Sequence, residues 1–402
     1  MALQGPVEAM NQIPAGGVKP PPVVLSLHHC EFRMTASTAD RQSVIAEVSA
    51  SRRSAGRIVV IAGSAILVLT TVVQLLFALG LTSLGFANWR PLLYAYLVWG
   101  IAIGVGQVLT RGEDGHRALF LLPALLFTIA MVIFPTFFGL YIAFTDWNLS
   151  AFEGQKFNGL DNLRHLLGDA YFWNALYNMV FYVLSVLAQY VIAFGLALLL
   201  NAEIKARKFF RVAFLLPFML SPVAVSWMIG KSLMEFRFGP LANLMRHLGW
   251  ENPAFFTTPW IARVCIMALD AWVWIPFMII LLLAGLQALP KEVQEAAKVD
   301  GASPWQSFWQ ITFPLMLPVS ITAIVLRIIF QLKLADIVIN TTFGGPGGAT
   351  DTVSSFIFRE YRDRSNVGYG TMVAEVYLII IIIFVTLLLR FVSPWMRRET
   401  DA

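Results

Sequence analysis

Three charged residues sit where charge is expensive. Asp270, Arg327 and Lys333 fall inside long apolar runs of a 402-residue chain that is 58% hydrophobic and 13% charged. Ionisable groups in hydrocarbon pair with one another or line a polar path. At about 1.5 Å per helical residue, Asp270 lies about 13 Å in from one face, and Arg327 and Lys333 about 12 and 21 Å in from the other. In a hydrocarbon core of about 30 Å, Asp270 then falls between the two cations in height. Asp270 is therefore expected to pair with Arg327 or Lys333. Trp272, Trp274 and Gln331 lie at neighbouring heights and offer stacking faces and hydrogen bonds to a polar ligand. Three readings stand: a static ion pair holding two helices, a pair lining a solute path, and a Lys333 that snorkels to an interface.

A second group of residues could bind a partner. The segment 287–318 holds Glu295-Ala296-Ala297 and Asp300-Gly301-Ala302. Read locally, it is helix, turn, helix. Pro290 suits a first helical position, where its missing N–H costs nothing, and 291–300 are mostly good helix formers. Gly301 can take the left-handed conformation that ends a helix. Ser303 caps a second helix, Pro304 takes its first position and Gln306 completes a capping box. Pro314 and Pro318 are expected to carry the chain back to the membrane. Such a hairpin has little core of its own. Ala296 and Ala297 let another surface approach closely, while Glu295 and Asp300 accept hydrogen bonds from it. On the residues alone, a docking surface and an amphipathic interfacial loop are both open.

Other chemistries leave no trace in the sequence. There is no G-x-x-x-x-G-K-[ST] phosphate loop, no nucleophile triad and no zinc spacing. Cys30 and Cys265 form neither a metal motif nor a disulfide framework. If ATP drives this protein, another chain binds it. The formal net charge of +5 does not indicate a nucleic-acid partner. Its basic residues sit in short clusters between apolar runs, the arrangement that orients helices in a bilayer.

The elements that must position these residues are membrane helices. Mean hydropathy is +0.70, and about 20 mostly apolar residues suffice to cross the bilayer. Eight segments qualify: 58–80, 91–109, 118–144, 173–200, 212–230, 261–286, 319–335 and 371–393. With the N-terminus inside, Lys and Arg are roughly twice as dense in the inner pieces as in the outer ones. The sharpest inner cluster is Lys205, Arg207, Lys208 and Arg211. Both termini are thus expected in the cytoplasm. Residues 1–54, rich in Pro, Ser and Ala, are expected to be a disordered cytoplasmic tail, within which Met34 offers a second possible start. Arg52-Arg53 precedes an apolar stretch too long for a signal-peptide core and lacking a small-residue cleavage pattern, so a retained first helix is expected. The outer pieces are too short for an independent domain.

Glu295-Ala296-Ala297, Asp300-Gly301-Ala302, Phe308, Ile311, Pro314 and Pro318 together resemble the EAA motif of ABC importer permeases. In that family the loop is a coupling helix that sits in a cleft of the ATPase subunit. The flanking residues are similar to the maltose-type branch: Asp270-Ala271-Trp272, Trp274-Ile275-Pro276-Phe277 and Ala284-Gly285-Leu286-Gln287 before the loop. After it come Asp336, then Thr342-Phe343-Gly344-Gly345-Pro346 and Ala349-Thr350, like that branch's outer segment. Gly159-Leu160-Asp161-Asn162, Pro217, Pro222 and the run from Gly239 to Asn243 extend the likeness over roughly 115–398. Ala335 departs from the pattern, which often has an aromatic residue there.

The resemblance implies an all-α polytopic fold: a six-helix type I importer core over 113–402, preceded by an extra transmembrane hairpin at 55–112. It implies a permease for a sugar, polyol or related carbohydrate in a bacterial cytoplasmic membrane, working by alternating access. The implied partners are a second homologous permease, two ATPase subunits and an extracytoplasmic solute-binding protein. No cofactor is implied on this chain, because ATP and Mg²⁺ belong to the ATPase. A secondary transporter is the rival reading. It would show related halves, and no clear repeat is visible. A membrane enzyme would need convergent polar residues, and none is visible.

Overall fold

The computed structural model describes residues 49–397 apart from 79, 80, 153 and 204. Most of the expected tail at 1–54, with Met34 and Cys30, lies outside the described residues. The chain divides into two compact units at Ile129.

The first unit holds α1 (Ala50–Ala78), α2 (Arg90–Arg111) and α3 (Glu113–Thr128). α1 and α2 run antiparallel and pack through small residues. A Cβ on Gly63 would lie 2.5 Å from the Cβ of Ala102, so only glycine permits this approach. Close backbone contact of this kind drives helix association in lipid, where burial of apolar area no longer helps. Trp99 Nε1 donates to Ser64 Oγ across the pair at 3.1 Å.

The second unit opens with a π turn at Ile129–Ile133 and α4 (Phe134–Ala143). Next come α5 (Asp161–Gly168), α6 (Ala170–Asn201), α7 (Arg207–Leu215), α8 (Pro222–Val225) and α9 (Pro240–His247). α10 (Pro259–Ala288), α11 (Lys291–Val299), α12 (Pro304–Ser307) and α13 (Phe313–Gln331) follow. The chain closes with α14 (Asp336–Thr341), α15 (Val353–Arg362) and α16 (Val367–Arg397). Among the described residues there is no β-strand, only two isolated bridges, so the expected all-α polytopic class is borne out. Two buried apolar clusters organise the unit, one around Tyr182, Ile266 and Phe356, the other around Ala197, Leu282 and Met316.

Seven of the described helices are long and apolar enough to cross a membrane. The expected span at 212–230 is instead a bent pair, Arg207–Met219 and Pro222–Leu233, meeting at 95°. The break has a local cause. Leu220 and Ser221 are extended, with ψ of 142° and 135°. Pro222 disfavours a helical conformation in the residue before it.

The expected span at 319–335 is also displaced. The helix runs unbroken from Pro304 to Gln331, through a π turn at Phe308–Thr312. The wider turn makes room for Pro314, whose ring would otherwise meet the carbonyl four residues back. The prolines thus do not separate the loop from the span, and Lys333 lies beyond the helix end rather than inside it. One further correction is small. Pro290 occupies the N-cap of α11 with ψ of 127°, not the first helical position.

Candidate functional site

Asp270 on α10 and Arg327 on α13 form an ion pair with both side chains fully buried. A third helix completes the cluster. From α6, Gln189 Nε2 donates to Asp270 Oδ2 at 3.2 Å, and Arg327 Nε donates to Gln189 Oε1 at 2.9 Å. The Arg327 guanidinium also lies over the Trp274 ring, 5.0 Å from its centroid, and Trp274 stacks on Phe330 at 4.8 Å. Gln331 approaches the carboxylate, but neither its Oε1 nor its Nε2 reaches a well-formed hydrogen bond. The group therefore ties α6, α10 and α13 together and still holds unsatisfied polar capacity.

A cavity of about 190 Å³ opens beside it, lined by Asp270, Trp274, Lys333 and Asp336 with Pro222 and Phe330. Of the sequence-derived path candidates, these four reach one cavity, while Arg327 and Gln331 sit buried behind it. Trp272 does not join them. It lies two residues along α10 from Asp270 and lines a separate apolar groove with Phe214, Pro217 and Ile279. Successive helical positions are 100° apart, so positions 270 and 272 face nearly opposite ways. Lys333 pairs with no carboxylate among the described residues; the partner of Asp270 is Arg327. Sequence reasoning missed Gln189, and also Glu375 on α16, whose carboxylate packs where a Cβ on Gly139 would stand, 2.6 Å away.

The hairpin at 287–318 is built by local chemistry. α11 ends in a Schellman motif. Gly301 N–H donates to Lys298 O at 3.2 Å and Ala302 N–H to Ala297 O at 3.0 Å, with Gly301 at φ +76°. These are the two bonds that define the motif and satisfy the last carbonyls. The capping box at Ser303 and Gln306 is present, with distances of 2.9 and 3.3 Å. Ala297 is buried, whereas Glu295, Ala296, Asp300 and Gly301 are exposed and Ala302 is half-buried. Val299 and Trp305 are 87% and 71% exposed. The base, in contrast, is anchored. Phe308 meets Phe194 of α6 edge-on at 5.8 Å centroid spacing and Phe313 of α13 at a tilt, at 6.0 Å. Leu289 and Phe308 pack on the Leu282 and Met316 cluster. A surface of this shape can take a partner and pass a displacement straight into α10 and α13.

The Gly-Gly-Pro segment is held by the spans beneath it. Asn174, Asn178 and Tyr182, four residues apart along α6, donate to the carbonyls of Gly348, Asp351 and Thr350 at 2.7 to 2.9 Å. Arg263 Nε adds a bond to Ala349 O at 2.7 Å. Thr342 and Thr350 hydroxyls meet at 2.7 Å, and Thr350 Oγ1 donates to Gly345 O at 2.8 Å; Pro346 follows a cis bond. Asp351 pairs with Arg359, and Glu360 with Arg364. Burial pushes both carboxyls above their ordinary range, and their arginines pull the other way.

Gly344 is indispensable here on two counts. Its φ is +85°, and a Cβ would stand 2.1 Å from Arg359 Nη1 and 2.7 Å from Asp351 Oδ1. Gly344→Ala should cost about 1–2 kcal/mol from the left-handed backbone alone, and more as the Asp351–Arg359 pair is displaced. Hydrogen exchange across 343–352 should lose protection. Wild-type protection in that variant would show that the pair does not hold the segment.

Apolar spans, an exposed capped hairpin rooted in them and a polar cluster at mid-depth define a polytopic transport protein. Residues 117–398 match the family described as "binding-protein-dependent transport system inner membrane component", and the chain belongs to it. The trehalose/maltose transport system permease protein MalF of Thermococcus litoralis is 32% identical over 273 residues, covering 68% of this chain and 92% of that one. The sulfoquinovosyl glycerol transport system permease protein SmoG of Agrobacterium fabrum is 30% identical over 269 residues, covering 67% and 87%. A chain of the solved bacterial alginate ABC transporter, in complex with alginate pentasaccharide-bound periplasmic protein, aligns with a TM-score of 0.62 at 22% identity. The alignment covers 71% of this chain and 96% of that one, a likeness of fold. The family resemblance drawn from the loop residues is borne out: the chain is an ABC transporter permease, a multi-pass membrane component.

Proposed function

We propose that this chain is one of two transmembrane permeases of an importer that moves a sugar, polyol or related carbohydrate across the bacterial cytoplasmic membrane. The observation that carries the reading is the hairpin: an exposed face around Glu295, Ala296 and Asp300, with its base packed into the spans. That is the geometry needed to receive an ATPase subunit, which would hold ATP and Mg²⁺. Two such subunits, a second permease and an extracytoplasmic solute-binding protein would complete the assembly. Both termini of this chain would face the cytoplasm. The loaded binding protein docks on the outer segment, closure of the ATPase pair moves the hairpins, and the path opens outward; hydrolysis resets it. The cavity beside Asp270 and Trp274 lies on the solute's route in this reading, with an aromatic face and carboxylates suited to hydroxyl-rich solutes. The relatives' carbohydrate substrates support this choice of class.

Proteoliposomes holding the chain with its partner permease and ATPase, supplied with receptor and labelled solute, should accumulate solute only with ATP on the ATPase side. Uptake by this chain alone under an ion gradient would replace the reading with secondary transport.

A further inference from the structure

The first helix pair builds a cavity from its own residues. At the end where α1 begins and α2 stops, the two backbones nearly touch. A Cβ on Gly56 would lie 2.7 Å from Thr110 Cγ2, and one on Gly106 would lie 2.2 Å from Val60 Cγ2. Beside this contact lies a cavity of about 460 Å³ lined by Arg53, Arg57 and Arg111 with Gln107 and Thr110. Three exposed arginines thus line one open cavity.

Among the described residues no carboxylate pairs with any of the three. The acids that follow in sequence do not serve them: Asp114 faces Arg117 at 3.8 Å. Thr110 Oγ1 is spent on Gly106 O at 2.7 Å. Gln107 Oε1, by contrast, is buried with no hydrogen-bond partner. The cavity wall continues into Val60 and Ile61, and Ile58 and Ile61 present 65% and 67% of their surface outward. On a membrane helix that surface meets acyl chains.

We propose that this cavity is a binding site for the headgroup of an anionic glycerol phospholipid, of the phosphatidylglycerol or cardiolipin type. Guanidinium groups recognise phosphate by paired N–H donors, and basic pockets between membrane helices take such headgroups. Gln107 lines the same cavity, and a turn of its side chain would bring its unpartnered oxygen to a glycerol hydroxyl of the headgroup. The apolar wall takes the first carbons of an acyl chain. A free phosphate would satisfy the arginines, and its own O–H could serve the Gln107 oxygen, but it would leave the apolar wall of Val60 and Ile61 without a counterpart. The site rests only on the chain being a membrane protein, not on which solute it carries.

The test uses the full chain in uncharged detergent micelles doped with equal amounts of phosphatidylglycerol and phosphatidylcholine. Native mass spectrometry reads the retained lipid. Phosphatidylglycerol should be retained in preference, and the preference should fall roughly fivefold for each arginine neutralised. The series is Arg57→Gln, then Arg53→Gln added, then Arg111→Gln added. Arg57→Lys, which keeps the charge but not the paired donors, should lose less of the preference than Arg57→Gln, and neutralising Lys205, Arg207 and Lys208 elsewhere should leave it unchanged. If the triple variant does not accumulate, the Arg57→Gln and Arg57→Lys pair decides. Equal retention in Arg57→Gln and wild type overturns the proposal. So does millimolar inorganic phosphate that strips the lipid from the wild-type protein, since the cavity would then be a free-anion site.

Discussion

Neutralising Asp270 while Arg327 stays in place should destabilise the folded chain by about 3–5 kcal/mol, the cost of leaving one member of a buried pair uncompensated. The environment here is severe. Arg327 is fully buried, and its Nη1 has no partner even in the intact cluster. Without the carboxylate its remaining contacts are one bond to Gln189 and the face of Trp274. Arg327→Gln is the mirror case, leaving Asp270 with the Gln189 amide as its remaining donor of good geometry. Each single variant should therefore accumulate poorly and lose its monodisperse peak at lower temperature. Asp270→Asn combined with Arg327→Gln removes both charges, and most of the loss should return. If the double variant is stable and transports, the pair is a strut between α10 and α13. If the swap Asp270→Arg with Arg327→Asp assembles but no longer transports, the pair also contributes to the solute path. Wild-type expression and uptake in either single variant would rule out the pairing as an energetic feature.

What the sequence revealed here, and what it hid, follows from the range of the forces involved. The pairing of Asp270 with a basic residue on the next span was legible because hydrocarbon forbids lone charges, and helix rise fixes height. The choice between Arg327 and Lys333 turned on where α13 ends, and helix ends are set by local turns that hydropathy does not resolve. Trp272 was placed with the cluster on height alone; its angle around α10 sends it to the opposite side. Gln189 was hidden because a single amide in an apolar run carries no charge to demand a partner. Its signal was present all the same, as a polar residue on the same α6 as Asn174, Asn178 and Tyr182. The hairpin was the most readable part, since caps and a left-handed glycine are decided within a few residues. The bend at Pro222 was less so, because mean hydropathy runs through 212–230 without a break. The small residues of the first helix pair went unread, because in the apolar stretch 58–109 they carry no charge or motif to mark them. Gly100 with Gly104, and Ala102 with Gly106, stand four apart, and all four are buried.

Gly301→Val should uncouple nucleotide hydrolysis from transport without disturbing insertion of the spans. The argument is conformational. Gly301 holds φ at +76°, and a Cβ there would meet nothing within 4 Å. No clash therefore contributes, and the whole effect comes from forcing a β-branched residue into the left-handed region, about 1–2 kcal/mol or more. The backbone can relieve that strain only by abandoning the Schellman bonds from Gly301 and Ala302. Doing so changes the angle between α11 and the helix that begins at Pro304. Because that second helix runs on to Gln331 inside the membrane, the change alters how a displacement reaches α13. Gly301→Asn, which tolerates the left-handed conformation, should retain most of the coupling and so separate backbone strain from loss of the residue itself. Glu295→Lys tests the other half of the joint. Its side chain is exposed, so folding should be spared while the charge presented to the ATPase is reversed. Co-purification of the ATPase should fall in Glu295→Lys and persist in Gly301→Val. Receptor-stimulated hydrolysis should fail to drive uptake in Gly301→Val. If both variants bind the ATPase and transport as the wild type does, the hairpin is not where the two subunits couple.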